Sequence, residues 1–324
     1  MLKLGTKYPT LYLAIMNFKS SFIFAVAFWA CVPVTLLSQN GDDDDDFYVP
    51  RRQGLEYGIN LGVYQANQNS SAFYNGAGWY ELGDNQASLY TIEDRLYLGN
   101  TEDQINNLLN LGGGNFWIPY DSSPILMPYD PGLMMGLKLL YFWNPESALV
   151  MSIDAVNLNA AGPWTLQTDM LPGGGQGSND IRVYGIFGKE RRMISSLGYR
   201  TSAYIIDEAA WTFEFGGSAT AIQIKENFIM IENNSYDLIT FFNGNQFMGA
   251  TSNLTSVGFG YYFVVGLEAM FEEGGNLELN LRASRDNIRL GNGDGAYQEK
   301  LWNFSLYVTW LIPPHIGDFV RASF

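Results

Sequence analysis

Trp302-Asn303-Phe304-Ser305-Leu306-Tyr307-Val308-Thr309-Trp310-Leu311-Ile312 alternates in character as far as Trp310. The even positions are Trp302, Phe304, Leu306, Val308, Trp310 and Ile312. Most of the odd ones are polar: Asn303, Ser305, Tyr307 and Thr309. A period of two is the signature of a strand whose faces meet different surroundings. Trp302 to Trp310 is eight steps of about 3.3 Å. At a tilt near ~40° the segment climbs roughly 20 Å, close to the apolar band of a membrane β-barrel, with a Trp near each edge.

Working back from that stretch, the pattern repeats. Val257, Phe259, Tyr261, Phe263, Val265, Leu267, Ala269 and Phe271 alternate with Gly258, Gly260, Tyr262, Gly266 and Glu268. Leu277, Leu279, Leu281 and Ala283 alternate with Glu278, Asn280, Arg282 and Ser284. Leu55, Tyr57, Ile59, Leu61 and Val63 do so against Glu56, Gly58, Asn60 and Gly62. Further strands are expected at about 131–143, 148–159, 192–205 and 210–222. The connections at 144–147, 207–209 and 273–275 are short and rich in turn formers. Those at 64–130, 160–191 and 223–255 are long, and 291–300 is intermediate. Short turns on one side and long loops on the other describe a bacterial outer-membrane barrel. The expected fold is all-β: an eight-stranded antiparallel transmembrane barrel over 55–312, both termini periplasmic, with a tail at 313–324. Residues 180–188 are placed in the second long loop, because a further spanning strand would break the long–short alternation. Ten strands is the alternative count.

The first 38 residues differ from the rest. They hold Lys3, Lys7 and Lys19, no acidic residue, an apolar run from Phe22 to Leu37, and then Ser38-Gln39. That order is a secretory signal peptide, and Pro33 and the short run argue against a spanning helix. Met16 makes a better start than Met1. Cys31 lies within the segment, so the exported chain has no cysteine. Removing the segment takes three lysines from a formal charge of −15 and leaves −18. Such a surface excludes nucleic acid as a partner. Asp42 to Asp46 open an acidic linker over 39–54 and lack the spacing of a calcium loop. The 35 Gly, 20 Tyr, 21 Phe and 8 Trp suit a β-rich membrane protein.

The first long loop contains a helix signal. Thr101-Glu102-Asp103-Gln104 fits a capping box. Ile105, Leu108, Leu109 and Leu111 form an apolar stripe, with Gly112-Gly113-Gly114 as the stop. Such a helix packs on its own loop or the barrel rim, or else binds a partner.

The signal ending in Ser38-Gln39 resembles those of Bacteroidota. Tyr57-Gly58-Ile59-Asn60-Leu61-Gly62-Val63-Tyr64 and Phe213-Glu214-Phe215-Gly216-Gly217 resemble the small outer-membrane barrels of that phylum, and the plan over 55–312 is similar to the OmpA-like membrane domain. A weaker likeness is to the barrel subunit of the type IX secretion and gliding machinery. The resemblance implies an envelope role and no particular chemistry. One departure is that Pro313-Pro314 end the last strand and Phe324 lies twelve residues beyond Ile312.

Inward positions carry Glu56, Lys138, Asp154, Arg200, Glu214, Glu268, Glu278 and Arg282. An eight-stranded barrel is filled by its own side chains, so these charges are expected to pair as a structural network, the alternative being a gated ion path. Three cations among five carboxylates leave two negative charges in excess. Glu278 and Arg282 lie about 13 Å apart along one strand and cannot pair with each other. Trp302 and Trp310 are the expected aromatic belt. The one His, His315, falls at the periplasmic end, away from where lipid-modifying barrel enzymes act. One His and no Cys cannot build a His/Cys metal site. Gly173-Gly174-Gly175 lacks the setting of a phosphate loop. No enzyme activity, cofactor or metal is expected. The expected partners are outer-membrane lipid and an unidentified protein. A structural or assembly role comes first, a narrow transport or receptor barrel second, and an envelope lipid enzyme third.

Overall fold

Eight antiparallel strands close into a ring in the computed structural model of the chain. It describes residues 52–76, 78–82, 86–90, 92, 96, 101–111, 115–119, 127–170, 176–206, 208–238, 255–271, 275–290, 297–299 and 302–312. The elements are β1 (Gly54–Gln65), β2 (Gly78–Leu82), β3 (Gln86–Tyr90), α1 (Thr101–Leu108), β4 (Phe116–Trp117), β5 (Gly132–Asn144), β6 (Ser147–Met170), β7 (Gln176–Ile206), β8 (Ala209–Ile231), β9 (Asn234–Asp237), β10 (Thr255–Phe271), β11 (Gly275–Leu290), β12 (Tyr297–Glu299) and β13 (Trp302–Leu311). A 3-10 helix spans Ser70–Tyr74. The ring runs β1, β5, β6, β7, β8, β10, β11, β13 and back to β1. Closure leaves the ring with no edge, as a membrane interior requires. The signal segment, the aspartate run, Gly112–Gly114, Gly173–Gly175, Pro313-Pro314, His315 and Phe324 lie outside the described residues.

The alternation sets which way each side chain points. Over a band from Met193 to Ala203 on β7, and at matching levels on the other ring strands, outward positions are apolar, small or hydroxylic, and none is charged. Leu133, Leu137, Phe215, Phe259 and Leu306 project from it as exposed side chains. The band faces lipid, so this is a transmembrane barrel. No helix among the described residues is long and apolar enough to cross a membrane.

Three strands depart from the expected lengths. β6, β7 and β8 are 24, 31 and 23 residues long. They continue past the band as one extended blade. Residues 180–188, expected in a loop, are the outer part of β7 and pair with β6. Two features conceal this. The outward face turns polar at Asn157, Asn159, Lys189 and Arg191, which reads as a strand end. Pro163 also sits in β6, where β5 no longer flanks the strand, and an edge strand tolerates a missing N–H.

The blade keeps an apolar inner face. Leu158, Trp164, Leu166, Ile186, Ile229 and Ile231 are buried there with Ile105, Leu109, Leu111, Phe116, Met127 and Tyr129 from the first long connection. The main core therefore lies above the membrane band, under that connection. A small apolar layer, Leu140, Phe142, Ala148, Val150 and Leu311, lies at the turn end. Between them the lumen is polar.

The helix α1 is present at Thr101–Leu108, but the expected glycines do not end it. Asn110 adopts φ 56. Leu111 N–H donates to Asn106 O at 3.0 Å and Asn110 N–H to Asn107 O at 3.2 Å. That is a Schellman end with Asn in the left-handed position, which Asn tolerates better than most residues.

Candidate functional site

Inward positions of six strands, together with Arg52 just before β1, build a chain of buried ion pairs across the lumen. Arg52 bridges Glu56 on β1 (2.5 Å) and Glu268 on β10 (2.7 Å). Arg200 on β7 bridges Glu268 (2.6 Å) and Glu278 on β11. Lys138 on β5 then bridges Glu278 (3.0 Å) and Glu214 on β8. Register explains the order. Glu268 and Glu278 are directly opposed across β10 and β11. Like charges so placed repel, and the Arg52 and Arg200 guanidiniums offset that repulsion. Arg52 also lies 4.4 Å over the Phe142 ring.

A second cluster stands beside the first. Asp154 accepts from Asn60 Nδ2 at 2.8 Å and Ser152 Oγ at 3.2 Å, and lies 3.7 Å from Arg282. Arg282 donates to Ser196 Oγ at 2.8 Å and its guanidinium lies 4.4 Å over the Tyr262 ring. Thr309 links the two clusters: its hydroxyl donates to Asn60 Oδ1 at 2.8 Å and accepts from Asn280 Nδ2 at 3.0 Å.

All eight charges singled out from the sequence thus point into the lumen. Seven are buried, and Glu56 at the turn end is partly open. Glu278 and Arg282 take different partners. Sequence reasoning misses Arg52, Asp286, Glu190 and Arg192. Arg52 precedes the first strand, where no periodicity marks it. Asp286 obeys the inward parity of β11 and accepts from Ser218 Oγ at 2.6 Å. With Arg52 and Asp286 added, the described charges of this region are four cations and six carboxylates, still two negative in excess.

The mouth is closed by the first long connection. Glu190 on β7 accepts from Arg192 Nε at 2.6 Å, Tyr74 OH at 2.6 Å and Tyr129 OH at 3.1 Å. Arg192 donates to Ser70 Oγ at 2.9 Å. All these groups are buried. Burial and the neighbouring Glu190 carboxylate push the Tyr74 phenol well up, so it stays a donor. Gly188 makes room for that ring: a Cβ there would lie 2.2 Å from Tyr74 Cγ. Parity continued backward from Arg200 finds both Glu190 and Arg192.

Of the loop-one helix residues, Thr101 opens α1, Gln104 faces out, Leu108 is half-buried, and Ile105 and Leu109 are in the core. Trp302 and Trp310 face outward at the two ends of β13, 40% and 39% exposed, as an interfacial pair would be.

What this arrangement does chemically is hold charge in fixed pairs. The lumen's carboxylates are spent on cations, amides and hydroxyls of the same chain, and no group of three His, Cys, Asp or Glu among the described residues is disposed to hold a metal.

No protein-family model matches the sequence. No curated protein matches it either. Among solved structures, the outer membrane protein OprG from Pseudomonas aeruginosa is 10% identical, with a TM-score of 0.35, covering 81% of this chain and 97% of that one. Ail, the attachment invasion locus protein of Yersinia pestis, is 8% identical at a TM-score of 0.29, covering 81% and 100%. The outer membrane protease OmpT from Escherichia coli is 11% identical at 0.27, covering 81% and 95%. At such scores the likeness carries nothing about function, and the barrel is established by its own ring of pairings.

Proposed function

We propose that this chain is a closed outer-membrane barrel with a structural, partner-anchoring role, and that it is neither a channel nor an enzyme. The observation that carries the reading is the double occupation of its bore. Ion pairs cross the lumen within the membrane band, and Tyr74, Tyr129 and Ser70 of the first long connection are fastened to Glu190 and Arg192 above it. A conducting pore keeps a continuous wet path, whereas here the same path is filled by side chains that hold one another.

The anchoring half of the proposal comes from the blade. Its outer face presents Ile181 and Val183, 58% and 65% exposed, well beyond the lipid band. Phe187 and Phe228 stack on the same face at 5.2 Å. Apolar side chains held in water on a rigid sheet suit a protein partner. The likeness to the secretion and gliding barrel makes an envelope assembly of that kind the setting to test first.

A photo-crosslinker at Val183 in native membranes tests this. The expected result is one discrete protein adduct, lost in an Ile181→Asp variant that still folds as a barrel. Adducts with lipid alone would overturn the anchoring role.

A further inference from the structure

On the outward face of the described barrel wall, basic side chains gather just above the lipid band. Within the lipid band no outward position is charged. Immediately above it, on the side of the long connections, stand Lys189 and Arg191 on β7 and Lys225 on β8, all exposed. Register brings them together. Arg191 opposes Gln223 and Lys189 opposes Glu226, and Lys225 is the extra residue between those pairs. Neighbouring strands lie about 4.8 Å apart and same-face neighbours about 6.6 Å along a strand, so three cationic heads share a patch about 10 Å wide. Lys189 pairs with Glu226 at 2.7 Å. Arg191 and Lys225 have no ion-pair partner among the described residues.

The patch is not an average of the surface, because the chain's formal charge is −15. The opposite rim exposes Glu146 and Glu208 instead. A fourth outward base, Arg285, stands two strands away beside Tyr261, 3.5 Å from its hydroxyl. Below Lys225 the wall has a shallow furrow. Gly217, Ala219 and Ala221 face outward on β8, and Val257, Phe259 and Tyr261 rise beside them on β10. The furrow runs about 13 Å down the strand, into the level of acyl chains.

Among the described residues, Arg191 and Lys225 are left unneutralised beside the Lys189–Glu226 pair, and bases at headgroup height complement phosphate. We propose that Lys189, Arg191 and Lys225 form a docking site for the phosphorylated headgroup of an outer-leaflet glycolipid, with one acyl chain lying in the Gly217–Ala221 furrow. The assignment rests on the outer-membrane reading above. It makes the barrel's grip on one leaflet a matter of specific charge as well as of the apolar band.

The test is native mass spectrometry of the full chain, folded in detergent, with three probes: bis-phosphorylated lipid A, the same lipid without phosphate, and inorganic pyrophosphate. Heat-modifiable migration after folding into vesicles is read first. A chain that never shows it refutes the barrel reading itself, separately from the headgroup site. For a folded chain, the phosphorylated lipid should be retained at least tenfold over the phosphate-free one, and pyrophosphate should not be retained. The triple variant Lys189→Gln, Arg191→Gln, Lys225→Gln should fold and lose that preference. Glu226→Gln frees Lys189 and should strengthen retention. Equal retention of both lipids, an unchanged triple variant, or retention of pyrophosphate alone would each overturn the proposal.

Discussion

Arg200 and Arg282 have the same chemistry and unequal duties. Arg200 holds two carboxylates at close range, and Arg282 holds one at 3.7 Å and a serine hydroxyl. Removing one member of a buried pair leaves an uncompensated charge at a cost of about 3–5 kcal/mol. Arg200→Met should therefore destabilise the barrel by about that much and Arg282→Met by less, measured by urea unfolding in vesicles. The reverse order would contradict the ion-pair chain. On β13, Leu306→Arg should cost about 2–4 kcal/mol at the lipid face. Its neighbour Ser305 lies opposite Arg282, so Ser305→Glu gains a partner and should cost less than Leu306→Glu. Equal costs would mean that the alternation does not separate lipid from lumen. At the blade tip the Tyr184 phenol donates to Glu232 at 2.8 Å, and burial, with that bond, pushes it up to about 12 from an ordinary 10.0. A raised folded value means that the phenol's contribution is whole below pH 10.0 and fades as pH climbs toward 12. The difference in thermal midpoint between wild type and Tyr184→Phe should be flat up to that point and shrink above it. Much of this scale is legible in sequence, because parity alone assigns Lys138, Arg200, Glu268 and Glu278 to the lumen. Arg52 is not, since only the closed ring brings a linker residue to Glu268.

Elements were legible where both faces kept their character. β10, β11 and β13 alternate over most of their length and lie within a residue or two of their expected bounds. β6, β7 and β8 read short because the alternation changes sense above the membrane: the inner face, polar in the lumen, turns apolar, while the outer face becomes polar at the headgroups. What continues the strands is the first long connection, whose Ile105, Leu109 and Met127 cover that inner face; the helix stripe announces that it packs, and nothing local announces that it packs on lengthened strands. The seat of Tyr74 on Gly188 is its tightest point. Gly188→Val should expel the ring, raising hydrogen exchange at 70–74 and 101–111 while 132–144 and 275–282 stay protected. Unchanged exchange at 70–74 would show that the connection is held some other way.

For the whole molecule the order of layers is the result. A thin apolar layer closes the turn end, paired charges fill the membrane-level lumen, and the larger core sits above the bilayer beneath a bound connection. The sequence implied the ring through its turns and its period of two, and left the closure of the mouth unread, because Glu190, Tyr74 and Tyr129 are separated by long stretches of chain. We propose that the long connections face the cell exterior: protease applied to whole cells should then cut within 223–255 and spare 144–147, and cleavage at 144–147 would invert the topology. A lumen filled in this way should carry no current. In single-channel recording of the full wild-type chain in a planar bilayer, the folded, inserted protein should show no unitary conductance at either polarity, and steady open channels from the same preparation would mean that the lumen is not plugged.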